Sequence, residues 1–181
     1  MSAQRRNPRS WERRWDGGIS EAPRSGSFHG FGLLRVDKTN EIISELKRSY
    51  AAELETLQNH LANSIDLDGA QPAGIQQSLE ASVALRLDHA RRLAKRISVI
   101  GGRVPGSLEL PRNQVFLQPA LGRADAHAVI HGVIRASEAA IAQYEKIIAV
   151  TEGMDYVTQD LVIDLLSEER EQRRLFSALL R

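Results

Sequence analysis

Apolar residues recur at intervals of three or four along four long stretches of this 181-residue chain, a period that belongs to one face of a helix and not to a strand. In the first stretch the line is Ile43, Leu46, Tyr50, Leu54, Leu57, Leu61 and Ile65. Thr39 or Asn40 stands where a cap is needed, with Glu41 in the first turn. Breakers in "DLDGAQPAG" (66–74) end it. A second helix is expected over about 75–100, with Leu79, Val83, Leu87, Ala90, Ala94 and Ile97 inward, until "GGRVPG" (101–106) stops it. Residues 103–124 carry Pro105, Pro111 and Pro119 and little period, so they read as a long connection. Two more helices follow, Asp125–Glu152 with Val133, Ser137, Ile141, Tyr144 and Ile148 inward, and Asp155–Leu180 with Leu161, Leu165, Glu168, Leu175 and Leu179 inward. Two hairpins joined by one long crossover make an all-α, single-crossover four-helix bundle.

Composition narrows the function. Without cysteine, disulfides, thiolate zinc sites and iron–sulfur clusters are excluded, and a cytoplasmic setting is expected. No apolar run approaches membrane-spanning length, and a net charge of +1 gives no bulk attraction to nucleic acid. Residues 1–38 differ from the rest. They hold eight basic residues against four acidic ones, are rich in Gly, Ser and Pro, and include Trp11, Trp15, Phe28 and Phe31. They are expected to form an irregular arm ahead of a bundle at 39–181. Tryptophan and arginine commonly anchor interfaces, so the arm is expected to bind a partner or a neighbouring copy.

Polar residues cluster near the helix midpoints. The first helix offers Glu53, the second Arg86 and His89, the third Ser137, and the fourth Glu168 and Glu171. Residues three apart share a helix face, and buried carboxylates require a partner or a metal.

Three stretches carry a family resemblance: "SYAAELETLQNHLANSIDLDG", "LDHARRLAKRISVIGGRVPG" and "IRASEAAIAQYEKIIAVTEGMDYVTQDLVIDLLSEEREQRRLF". Over about residues 40–180 the chain resembles the ferritin-like superfamily, on its bacterioferritin and mini-ferritin side. The resemblance implies a di-iron site built from a glutamate on each of two helices and Glu-x-x-His on each of the other two. Glu53, His89 and Glu168 then match ligand positions. Arg86 and Ser137 replace two glutamates, and Glu171 stands where a histidine is implied. The remaining metal set is Glu53, His89, Glu168 and Glu171. Arginine cannot ligate, so a two-iron centre is expected to be lost, with Arg86 paired to the carboxylates.

No cofactor is demanded by the residues themselves. Iron is the metal that the resemblance implies, and no haem is expected, because Leu87 stands at the axial-methionine position and Met154 lies in a turn. His127 and His131 read as a solvated helix end, and His60 as a hydrogen-bond donor to a ligand or a surface residue. Two functions follow. The first is a non-catalytic structural or assembly subunit, working as a homo-oligomer or in a mixed complex through its arm. The alternative is an iron-binding ferroxidase or store with an altered or mononuclear centre. A fourth helix running to Arg181 leaves no fifth helix of the kind seen in 24-chain shells, which favours a smaller assembly.

Overall fold

The computed structural model describes residues 28–67, 73–121 and 125–180. Among them are four α-helices: α1 (Phe28–Asp66), α2 (Ala73–Val99), α3 (Ala126–Thr151) and α4 (Tyr156–Ala178), with one 3-10 turn at Ser107–Glu109 in the crossover. The four-helix bundle with one long crossover is thus the observed fold. α1 pairs with α2 and α3 with α4, and the crossover returns the chain so that α1 and α3 also pack together.

Local chemistry sets the helix ends. Asp125 caps α3 by accepting from the Ala128 N–H at 3.1 Å. Asp155 caps α4 through the Thr158 N–H at 3.0 Å. Asp155 also receives Arg96 of α2 at 2.7 Å, which ties the α3–α4 turn to the end of α2. Burial alone would raise the Asp155 pKa, but Arg96 and Thr158 more than offset it and hold the carboxyl below its ordinary value. Gly101 ends α2 with φ +86°, a left-handed conformation that glycine adopts without a Cβ clash.

α1 begins at Phe28. The expected irregular arm of residues 1–38 is therefore helical over 28–38, and propensity-poor Gly30 and Gly32 do not break it. Residues 1–27, with Trp11 and Trp15, lie outside the described residues.

The interior holds two apolar clusters. One comprises Ile42, Leu46, Leu93, Ile97, Ile141, Tyr144, Ile147, Val162, Leu165 and Leu166. The other comprises Ile75, Leu79, Leu117, Ala126, Val129, Ile130, Val133, Ala136 and Phe176. On α2 and α4 the two clusters are separated by buried polar residues, Ser82, Arg86 and His89 on α2 and Glu169 and Gln172 on α4.

That belt corrects three of the expected inward faces. On α2, Arg86 is buried and Leu87 is half-exposed. On α4 the buried line is Thr158, Val162, Leu165, Glu169, Gln172 and Phe176, while Leu175 and Leu179 face out. On α1, Leu61 and Ile65 are 50% and 72% exposed, and Glu55, Thr56, Asn59, His60 and Asn63 are buried instead. On α1 and α2 the expected line favoured a leucine or isoleucine where the interior holds a polar side chain one residue away, and on α4 it took Glu168 and Leu175 for Glu169 and Phe176; each slip is a rotation of about 100°.

The polar half of α1 secures the crossover. Glu55 accepts the N–H groups of Asn113 and Gln114 at 3.0 and 3.2 Å. Asn59 donates to Gln114 at 2.7 Å, and Asn63 to the Leu117 carbonyl at 3.1 Å. On the other side the crossover lies directly on α3. A Cβ at Gly132 would sit 2.7 Å from the Phe116 carbonyl oxygen. Gly132→Ala should therefore lift the crossover and cost about 1–3 kcal/mol, seen as a lower urea midpoint with an unchanged slope.

Candidate metal centre

The polar belt is organised around Arg86, a side chain only 1% exposed. Its guanidinium forks onto Glu169 of α4. Nη2 donates to Glu169 Oε1 at 2.7 Å, and Nη1 donates to Glu169 Oε2. Nη1 also reaches Glu53 of α1, with Oε2 at 3.2 Å. The Tyr144 hydroxyl of α3 donates to Glu53 Oε1 at 2.6 Å. Three helices thus meet on one cation, and the fourth is joined through the tyrosine. Planar, multiply donating geometry of this kind suits arginine and not lysine.

His89 lies one turn along α2 from Arg86. Its Nε2 pairs with Glu168 Oε2 at 2.9 Å, and Arg92 Nη1 donates to Glu168 Oε1 at 2.7 Å. Its Nδ1 is 3.7 Å from Glu53 Oε2 and has no hydrogen-bond partner. One donor atom from each of Glu53, His89 and Glu169 lies within 4.8 Å of the other two, and all three residues are buried.

Electrostatics follow from the packing. Burial would raise the Glu53 pKa, yet Arg86, His89 and Tyr144 hold it at about 2. Burial would lower that of His89, but Glu53 and Glu168 outweigh it and favour the imidazolium. For Tyr144, burial and then the neighbouring Glu53 carboxylate push the phenol well above its ordinary value. His60, two turns after Glu53 on α1, is fully buried, and neither ring nitrogen has a hydrogen-bond partner. Burial first, then Arg86, depress its pKa to about 3.

The sequence-derived ligands separate here. Glu53 and His89 come together. Glu168 touches His89 but is 38% exposed and lies in the α2–α4 groove. Glu171 does not belong to the site, because it points to solvent and pairs with Arg174 at 2.6 Å. The reason is helical phase: α4 turns Glu169 and Gln172 inward, so their neighbours Glu168 and Glu171 cannot share that face. Glu169 and Gln172 were missed because adjacent doublets, Leu165–Leu166 and Glu168–Glu169, leave the phase of α4 ambiguous. Phe176, seven residues beyond Glu169, is the signal that could have resolved it. Ser137 is buried with its hydroxyl unpartnered, and His60, left open by the sequence, is interior. His127 and His131 are exposed, with ring centroids 4.6 Å apart.

The model of the ferritin-like domain family matches residues 43–181. The chain belongs to the ferritin-like family. Solved ferritin-like structures superpose closely. The bacterioferritin-related protein of Bacteroides fragilis, a dodecameric thioferritin, has a TM-score of 0.73 at 22% identity, over 84% of this chain and 92% of that one. Dps from Staphylococcus aureus gives 0.72 at 18% identity, over 78% and 96%. The bacterioferritin of Desulfovibrio desulfuricans, described with a diiron site, gives 0.68 at 18% identity, over 80% and 81%. No curated protein matches the sequence.

A ferritin-like di-iron centre does not fit these residues. Arg86 fills the middle of the belt with fixed positive charge, and Ser137 and Gln172 offer no carboxylate or imidazole. A single cation does fit. One ring nitrogen of His89 is oriented by a carboxylate and the other is unpartnered beside Glu53, the arrangement that a hydrogen-bonding carboxylate gives to a metal-binding histidine.

Two stability predictions follow. Arg86→Ala leaves Glu53 and Glu169 without their cation in the interior and should cost about 3–5 kcal/mol, read from urea unfolding at pH 7. His60 is neutral in the folded state down to pH about 3, whereas the unfolded chain protonates it near pH 6.5. Its contribution is thus complete above pH 6.5 and is lost as pH falls, by about 1.4 kcal/mol per pH unit. Unfolding measured at pH 6.5, 5.5 and 4.5 should show that slope, and His60→Phe should flatten it.

Proposed function

We propose that this chain is an iron-binding ferritin-like protein with an altered, mononuclear centre, in which Glu53, His89 and Glu169 hold one divalent cation and Arg86 takes the place of a second. The carrying observation is the convergence of those three buried donors within 4.8 Å, with His89 Nδ1 free of hydrogen bonds. A carboxylate, carboxylate and imidazole set suits ferrous iron and its divalent neighbours. Because His89 favours its protonated form, cation binding must release that proton, so affinity falls as pH drops. Glu168 keeps the imidazole oriented by its bond to Nε2. The family match and the diiron relatives support this reading over the purely structural role expected from the sequence.

The structural role keeps one specific observation. Arg86 already pairs with both interior carboxylates, so neither is left without a counter-charge when no metal is bound. A homo-oligomeric assembly is supported by the dodecameric Bacteroides fragilis relative, and residues 1–27, rich in arginine and tryptophan, are proposed as its added contact segment.

Metal content separates the readings. Titration with Co2+ or anaerobic Fe2+ should saturate at one ion per chain and weaken between pH 8 and pH 6, and His89→Ala should abolish it. Arg86→Glu with Ser137→Glu and Gln172→His should raise the stoichiometry to two. Two ions per unmodified chain, or none, overturns the mononuclear centre.

A further inference from the structure

The centre is reached differently from its two sides. On the α2–α4 side, the outer face of α2 carries Arg91, Arg92, Lys95 and Arg96. Arg92 there bonds Glu168 at 2.7 Å and also approaches Asp88 and Asp164, which closes the groove in front of His89. On the α1–α3 side a cleft of about 290 Å3 opens to solvent beneath the crossover, room for several water molecules. Ala52, Ala136, Ala139 and Ala140 line its walls, Gln114 and Phe116 its roof, and Glu53 and Tyr144 also line it.

We propose that this cleft is the path by which a hydrated divalent cation reaches Glu53. The inference rests on the mononuclear reading above and adds its route of entry. Small side chains keep the passage wide where α1 and α3 would otherwise close on each other. A residue of the centre itself, Glu53, is among those that line the cleft. Ser49, also on its wall, is buried with a hydroxyl that has no hydrogen-bond partner, and a hydroxyl can both donate to and accept from the water shell of a passing ion. The one basic side chain on the wall, Arg48, is held by Glu45 at 2.8 Å, and Lys146 bonds the same carboxylate at 2.8 Å. On the other side the approach to His89 is occupied by Arg92 and its carboxylate partners Glu168, Asp88 and Asp164. The Tyr144–Glu53 hydrogen bond, at 2.6 Å, lies at the inner end.

Loading kinetics test the route, with Co2+ as the probe and its ligand-field absorption followed after rapid mixing. Ala52→Leu combined with Ala139→Leu narrows the cleft at two exposed positions that touch no ligand, so the bundle stays folded. Ala140→Leu narrows it from within. Both should slow loading by about tenfold or more and leave the equilibrium affinity unchanged, whereas Lys95→Ala, at an exposed position on the opposite side, should leave the rate unchanged. Unchanged loading in both cleft variants, or a faster rate in Lys95→Ala, overturns the route but leaves the metal site standing. Failure of the unmodified protein to bind Co2+ overturns the site and the route together.

Discussion

The bundle depends on one buried guanidinium. Arg86 sits between two apolar clusters, and its planar guanidinium spans from Glu169 on α4 to Glu53 on α1. Neither carboxylate could remain in that interior alone, because an unpaired buried charge costs several kcal/mol. The guanidinium also fixes phase. Its donors lie in one plane with fixed spacing, so α1, α2 and α4 can satisfy it in one rotational setting only. Tyr144 then locks α3 to the same level by donating to Glu53. Metal-binding bundles of this architecture converge carboxylates on cations, and here a side chain supplies part of that positive charge permanently.

A polar belt across a bundle has a packing consequence. The apolar contacts split into two clusters, and the ionic layer lies between them. α1 departs furthest from a simple amphipathic helix. Beyond Glu53 its buried face is made of Glu55, Thr56, Asn59, His60, Asn63 and Ser64, and four of these bind the crossover through side-chain or backbone groups. The crossover is therefore part of the interior's hydrogen-bond network. Its close approach at Gly132 gives the α1–α3 side its roof.

The two sides of the bundle differ in chemistry. The α2–α4 groove is closed by an exposed arginine–glutamate network around Glu168, and the α1–α3 side is open and lined with alanine. Glu168 and Glu169 are adjacent in the chain but serve opposite tasks. Glu169 is fully buried under Arg86, whereas Glu168 orients His89 from the groove. Burial and the two sets of neighbours give His89 and His60 opposite tendencies, His89 toward the imidazolium and His60 toward the neutral ring, although both are interior.

The sequence by itself determined the helix count, the single crossover and the breakers at Gly101 and around residues 66–74, because period and punctuation are local properties of the chain. It also determined that Glu53, Arg86 and His89 occur at matching levels, since levels follow from counting residues along rods of known rise. The rotation of each helix about its axis was decided only by the tertiary structure. Apolar pattern assigns the leucine to the interior, and so it put Leu87 on the inward line beside an ion-paired Arg86, chose Leu61 over His60, and drew a line on α4 that put Glu168 in the place of Glu169. An ionic layer reverses that choice, because the energy that places Arg86 inside comes from Glu53 and Glu169 on other helices. No local window contains those partners. For the same reason Glu171 looked like a ligand in the sequence and lies on the surface in the fold.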